Sequence, residues 1–161
     1  MAASKGSEEP TLKKIVIYTL LLAGALAYPA QDVELAKMKP VETIGVRHQN
    51  GLVVIETDTE DMGFGRTVNE AIEDLKETSA GWICMDTAKY LLIAPDARED
   101  AFALMDILDE DVRVCGYNGE VDMREVGEYL QSHRPNVSLE RLEKETEIGM
   151  LCINGGRLKI N

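Results

Sequence analysis

The sequence has few of the residue types that build metal, redox or nucleic-acid sites. Its 161 residues include three cysteines and two histidines, and Cys84, Cys115 and Cys152 form no C-x-x-C pair. It therefore supports neither a zinc site nor a thioredoxin-like motif. Basic residues are also scarce, since 17 Lys and Arg stand against 29 Asp and Glu. A net charge of -12 without a basic stripe argues against nucleic-acid binding, because that affinity comes largely from cations that neutralise phosphates.

Catalytic motifs are missing as well. The sequence contains neither G-x-S-x-G nor H-E-x-x-H, and no Cys-His pair. His48 falls in a predicted hairpin turn, and His133 falls at a predicted helix end, where a cationic ring suits the helix dipole. Both histidines thus have structural explanations. We predict a non-enzymatic protein with no catalytic residue and no cofactor.

The first 32 residues differ in composition from the rest of the chain. Lys13 and Lys14 precede an uncharged run from Ile15 to Gln31. The most apolar part of this run, Ile15 to Ala27, has 13 residues, which suits the hydrophobic region of a signal peptide and falls short of the roughly 20 needed to span a bilayer. We predict that residues 1–32 are a signal peptide or membrane anchor with a linker.

The fate of this leader has three alternatives. A small-x-small pattern at residues 25–27 predicts cleavage before Tyr28. An uncleaved anchor and a buried N-terminal helix are the other two. In the first two cases residues 33–161 form an acidic extracytoplasmic domain, either secreted or tethered to the membrane through residues 15–31.

Hydrophobic patterning predicts that residues 33–161 form one α+β domain, a mixed β-sheet with three to four amphipathic helices packed on it. Asn50-Gly51 between the apolar runs Val41–Val46 and Leu52–Thr57 is a hairpin signal. A capping box at Thr67 and Glu70 opens the first helix. A second helix is predicted to open at Pro95-Asp96, with Ala101, Leu104, Met105 and Leu108 on its apolar face. Further helices are predicted at Val121–Ser132 and Ser138–Lys144, and further strands at Trp82–Met85, Tyr90–Ala94, Val112–Tyr117, Met150–Ile153 and Arg157–Ile160.

An acidic loop offers a weak candidate for a metal site. Asp58, Glu60 and Asp61 supply carboxylates of the kind that Ca²⁺ prefers, but the spacing is not that of the twelve-residue calcium loop. A solvated acidic loop explains the same residues. We therefore assign no metal.

Two further loops are candidate functional segments. Gly63, Gly65, Arg66 and Thr67 precede a helix N-terminus, where free N–H groups can bind an anion. The structural alternative is a turn in which the glycines adopt positive φ and Thr67 caps the helix. Asp86 and Thr87 join two apolar runs and suit an ordinary turn. A small hydrolase or ligand-binding protein using the Asp86/Thr87 and Gly63–Thr67 loops is the alternative function.

The segment from Gly65 to Leu92 (GRTVNEAIEDLKETSAGWICMDTAKYLL), followed by Leu104 to Glu120, resembles the N-terminal domain of Ger(x)C-type spore germination proteins, the C subunits of germinant receptors. Val41–Gly51, VETIGVRHQNG, is similar to the family's first strand. The family's G-x-T-(hydrophobic)-x-E-A helix start is matched by Gly65, Thr67, Val68, Glu70 and Ala71. These are fold motifs rather than catalytic ones.

The resemblance implies participation in a membrane-associated receptor complex rather than catalysis. One departure is that residues 23–32 contain no cysteine, so the lipid attachment typical of the family is not supported. We therefore expect a non-enzymatic, exported or membrane-tethered domain that binds a protein partner, with sporulation or germination as its setting.

Overall fold

The computed structural model describes residues 37–118, 121–145, 147–154 and 157–161. The predicted leader, residues 1–32, lies outside the described residues. Within them the chain forms a mixed sheet with three α-helices, as the patterning predicts. The strands are β1 (Met38–Pro40), β2 (Thr43–Gln49), β3 (Leu52–Thr57), β4 (Met62–Gly65), β5 (Trp82–Cys84), β6 (Tyr90–Ile93), β7 (Arg113–Tyr117), β8 (Val137–Ser138), β9 (Met150–Asn154) and β10 (Arg157–Ile160). The helices are α1 (Val68–Thr78), α2 (Arg98–Ala103) and α3 (Met123–Ser132).

The main sheet has the strand order β10-β9-β7-β6-β2-β3-β4, with β8 paired to β7. Strands β2, β6, β7 and β9 run parallel to one another at its centre. Strands β3 and β4 extend one side as an antiparallel meander, and β10 extends the other side. Strands β1 and β5 form a separate two-stranded parallel sheet. The two edges of the main sheet are therefore β4 and β10.

Both predicted hairpins are present. Asn50 and Gly51 have φ angles of 54° and 78°, as a tight turn between twisted antiparallel strands requires. The register of β9 with β10 confirms the second hairpin, although residues 155 and 156 of its turn lie outside the described residues. The turn chemistry therefore predicted strand pairing at two places in the chain.

Helices cover both faces of the main sheet. Helix α1 packs on β4 so closely that a Cβ on Gly63 would lie 2.0 Å from the carbonyl oxygen of Ala71. Helix α3 packs on the opposite face, where a Cβ on Gly45 would lie 2.5 Å from Cε of Met123. The predicted inward residues of both helices are buried: Val68, Ala71, Ile72 and Leu75 in α1, and Met123, Val126 and Leu130 in α3.

Three segments differ from the sequence-based expectation. The predicted fourth helix, Ser138–Lys144, is instead the end of β8 followed by a 3-10 turn at Leu139–Arg141. Its backbone bonds to the sheet instead of forming a helix, because the N–H of Leu139 donates to the carbonyl of Val112 at 2.8 Å. Helix α2 gives way to a 3-10 turn at Leu104–Asp106. The sequence pattern also predicts a short polar helix or linker over Val33–Lys39, ended by Pro40, whereas Met38–Pro40 forms strand β1 and pairs with β5.

Candidate functional site

The three carboxylates of the acidic loop point to different partners. Asp58 accepts the N–H of Glu42 at 3.1 and 3.3 Å and so fastens the chain that enters β2. Asp61 contacts Lys39 Nζ at 3.0 Å and Thr59 Oγ1 at 2.7 Å. Glu60 is highly exposed. Among the residues that the structure describes, no three His, Cys, Asp or Glu side chains are arranged to hold a metal ion.

The two aspartates of this loop have opposite electrostatic environments. Burial raises the pKa of Asp58, and the charge of Glu42 adds to this, against backbone hydrogen bonds that favour the ionised form. Burial alone would also raise the pKa of Asp61. Hydrogen bonds from Thr59 and Lys39, together with the charge of Lys39, outweigh this effect, and the pKa of Asp61 is lowered. The loop is a structural junction in which Asp61 pairs with Lys39 at 3.0 Å and the exposed Glu60 lies 4.0 Å from Arg124.

The glycines before α1 have a packing role. A Cβ on Gly65 would lie 2.4 Å from the backbone nitrogen of Ala71, and Gly63 is equally crowded by α1. Among the glycines of the described residues, only Gly51 has positive φ. The expected turn is thus strand β4, and glycine is needed there because helix and strand backbones approach closely.

Two acidic side chains of α1 cover the outer edge of β4. The carboxylate of Asp74 accepts the N–H of Phe64 at 2.8 Å, and that of Glu70 accepts the N–H of Arg66 at 2.8 Å. Thr67 Oγ1 accepts the N–H of Glu70, which completes the helix cap. Since Glu70 already places a carboxylate at the start of α1, a bound anion would meet like charge there. Thr67 caps the helix as predicted, whereas the carboxylate of Glu70 bonds to the N–H of Arg66, the residue before the cap. Glu70 and Asp74 together close the edge strand.

Thr87 fixes the backbone of the segment that leads into β2. Its hydroxyl accepts the N–H of Val41 at 3.0 Å and lies 3.0 and 2.9 Å from the carbonyl oxygens of Val41 and Cys84, so it donates to one of them. Asp86 is exposed in the 3-10 turn Met85–Thr87. The Asp86/Thr87 turn therefore bonds to the β1–β5 region, and the Gly63–Thr67 segment bonds to α1.

Arg47, Glu56 and Tyr117 form a buried polar cluster that the sequence pattern did not predict. Tyr117 donates its hydroxyl proton to Glu56 Oε1 at 2.7 Å, and Arg47 Nε lies 3.4 Å from the same oxygen. Burial, and then the adjacent charge of Glu56, raise the pKa of Tyr117 well above its usual value. A Cβ on Gly45 would fall 2.9 Å from Cγ of Glu56, so side chains already fill this position. Glu56 within an apolar β-run was the only signal in the sequence.

A groove lies between α3 and strand β10. It has a volume of about 900 Å³ and is lined by Glu125, Glu128, Tyr129, His133, Arg157, Leu158, Lys159 and Ile160. The rings of Tyr129 and His133 stack with centroids 4.1 Å apart and form part of its helical wall. A second recess of about 690 Å³ shares Tyr129, His133 and Ile160 with it. The groove is thus a concave surface beside a sheet edge.

Several large apolar side chains are exposed. Trp82 is 63% exposed, and its register partner Met38 is 36% exposed. Met62 and Phe64 on β4 and Ile153 on β9 are also exposed. Trp82 is the only tryptophan of the chain. Exposed aromatic and sulfur-containing side chains of this kind suit contact with another molecule.

The chain matches no protein-family model, and comparison with curated proteins and with solved structures gives no match either. The resemblance to Ger(x)C proteins stays a prediction. Within the described ranges, no helix is both long and apolar enough to cross a bilayer. The predicted membrane segment, residues 15–31, lies outside those ranges.

Proposed function

We propose that this chain is a non-enzymatic interaction domain that is exported or tethered to a membrane by its N-terminal apolar segment. The observation that carries the proposal is the exposed pair formed by Trp82 and Met38. The setting expected from the resemblance to Ger(x)C proteins is a membrane-associated complex of sporulation or germination.

The place of this pair in the chain supports tethering. Met38 follows the end of the uncharged run, Gln31, by seven residues. Seven residues of extended chain span at most about 25 Å. Tryptophan favours the boundary between lipid and water, where its ring meets apolar groups and its N–H keeps a polar partner. Trp82 is therefore suited to contact the membrane surface next to the tether.

The groove between α3 and β10 supports the binding role. Its lining combines apolar side chains, such as Leu158 and Ile160, with charged groups of both signs. This mixture is typical of a protein interface, in which apolar contacts are rimmed by polar ones. The enzymatic alternative has less support, because Thr87, Gly63 and Gly65 already have structural roles.

Cell fractionation of the full chain with a C-terminal tag tests the location. We expect the tag in the membrane fraction or outside the cytoplasm. Full-length, uncleaved protein found only in the cytosol would overturn the proposal.

Fluorescence quenching tests the role of Trp82. With the full chain reconstituted in vesicles that contain brominated lipids, we expect strong quenching of its single tryptophan. The matched control combines Trp82→Phe with Phe64→Trp, which moves the fluorophore to the exposed β4 edge. Equal quenching of the two proteins would contradict a membrane contact at Trp82.

A further inference from the structure

The two edges of the main sheet differ, and we propose that the open edge, β10, binds an extended segment of a protein partner as an added strand. In this partner segment, acidic residues alternate with aliphatic ones. This inference rests on the proposed function, because it names the kind of partner that the interaction domain binds.

The edge at β4 is closed to such a partner. The carboxylates of Glu70 and Asp74 accept the N–H groups of Arg66 and Phe64, which an incoming strand would need. At the other edge, β10 pairs only with β9 among the residues that the structure describes. A sheet with one covered edge and one open edge directs strand addition to the open one.

The register of β10 shows which backbone groups face outward. Asn161 and Met150 exchange both backbone hydrogen bonds, at 3.0 and 3.1 Å. Since such pairs alternate along an antiparallel ladder, Arg157 and Lys159 also bond towards β9. The N–H and C=O groups of Leu158 and Ile160 therefore point away from β9. An added strand would find two donors and two acceptors there.

The side chains of the β9–β10 hairpin indicate which residues the partner segment needs on the side that faces the groove. Leu158 is paired with Ile153 and Ile160 with Leu151, so these four residues share one side of the hairpin. Leu158 and Ile160 line the groove next to Tyr129, and Ile153 is 58% exposed. Every second side chain of an added strand would enter this apolar surface, so aliphatic residues fit there.

The opposite side of β10 defines the charge of the partner. Arg157 and Lys159 are two residues apart and therefore share this side; both also border the groove, whose α3 wall carries the carboxylates of Glu125 and Glu128. They form a local cationic pair on a chain of net charge -12. A second copy of β10 would bring like charges together, whereas carboxylates at alternate positions would be attracted. The favoured occupant is an acidic-aliphatic strand rather than a second copy of this chain.

Binding of synthetic peptides to the full chain in nanodiscs tests this inference. The probe is a short acetylated and amidated peptide that alternates Glu with Val, compared with one in which Lys replaces Glu. We expect the acidic peptide to bind at least about tenfold more tightly, because charge complementarity selects it. N-methylation of every second peptide nitrogen, at the positions whose N–H groups face β10, should abolish binding. The amides of Leu158 and Ile160 should exchange hydrogen more slowly in the complex.

Charge reversal provides the matched variants. Arg157→Glu with Lys159→Glu should invert the preference between the two peptides. Arg66→Glu with Lys76→Glu makes the same change of charge on the β4 and α1 side, and should leave binding unchanged. Circular dichroism checks that both variants are folded, and the N-methylated peptides provide a test on the unaltered protein.

Several results would overturn the inference. These are failure to bind the acidic peptide, equal binding of both peptides, indifference to N-methylation, and self-association of the chain through β10. Failure of the proposed function is seen separately, in fractionation and in Trp82 quenching. A chain that is tethered yet does not bind the acidic peptide retains the proposed location and loses only this inference.

Discussion

Tyr117 on β7 reaches Glu56 on β3 across two intervening strands, and the hydrogen bond between them measures 2.7 Å. The hydroxyl passes over Gly45 of β2, where a Cβ would lie 3.0 Å from the tyrosine oxygen. The contact ties the central parallel strands to the antiparallel meander. The absence of a side chain at Gly45 is therefore what allows a buried carboxylate to be satisfied.

We expect Tyr117→Phe to lower the free energy of unfolding by about 1–3 kcal/mol, because it leaves the buried Glu56 with one fewer donor. Glu56→Leu removes the acceptor, so Tyr117→Phe combined with Glu56→Leu should lose less than the sum of the single variants. Urea unfolding of the four proteins in a double-mutant cycle measures this coupling. A coupling energy near zero would contradict a direct interaction.

The covered edge of β4 gives a second prediction. Glu70→Ala with Asp74→Ala removes the acceptors for the N–H groups of Arg66 and Phe64. We expect a loss of about 1–2 kcal/mol in stability, since each bond is a charge-assisted one at a partly solvated site. The freed edge should also promote association, because an exposed strand edge pairs with other chains.

Size-exclusion chromatography over a range of concentrations measures this association. The control is Glu70→Gln with Asp74→Asn, which makes the same change of charge but keeps a side-chain oxygen as acceptor. The control should remain less associated than the alanine variant. Equal behaviour of the two variants would mean that charge, rather than capping of the edge, governs association.

Local signals in the sequence predicted much of the fold. Asn50-Gly51 predicted a hairpin because both positions need positive φ, and Thr67 with Glu70 predicted the start of α1 because the helix needs a cap. Long-range packing could not be predicted in this way. Gly63 is required because α1 lies directly on β4, a relationship between elements that no local pattern contains.

The same limit applies to the candidate sites. Glu56 and Tyr117 are 61 residues apart in the chain, and only the sheet order brings them together. Conversely, Asp58 and Asp61 are close in sequence, but their carboxylates bond to different parts of the fold. Proximity in sequence made these carboxylates a weak candidate for a metal site, but it could not predict which partners each side chain would bond to.

Acid titration should distinguish Asp61 from Asp58. The pKa of Asp61 is lowered, so its contribution to stability is present above the unfolded value of 3.8 and is lost as pH falls through the folded pKa. The pKa of Asp58 is raised, chiefly by burial, so its ionisation opposes folding as pH rises through the folded pKa. We expect Asp61→Asn to destabilise the protein at pH 7, and Asp58→Asn to be neutral or stabilising there.

Denaturant unfolding between pH 2.5 and 7 measures both effects. The loss of stability in acid should be smaller in Asp61→Asn, because that variant has no carboxylate to protonate at this position. Lys39→Met provides a check, since it removes the ammonium group 3.0 Å from Asp61. An unchanged acid profile in both variants would exclude the Lys39–Asp61 pair as a source of stability.

The three cysteines should differ in their reactivity. All three are free thiols; Cys115 is buried, whereas Cys84 and Cys152 are partly exposed. Burial raises the pKa of Cys115 to about 11, and its thiol lies 3.0 Å from the carbonyl oxygen of Gly149. Since the thiolate is the reactive form, Cys115 should resist alkylation at pH 8 while the other two react.

Mass spectrometry after a short treatment with iodoacetamide should show two modified cysteines in the native protein and three in urea. The variant Cys115→Ser should show two under both conditions, and rapid modification of all three cysteines in the native protein would contradict the burial of Cys115.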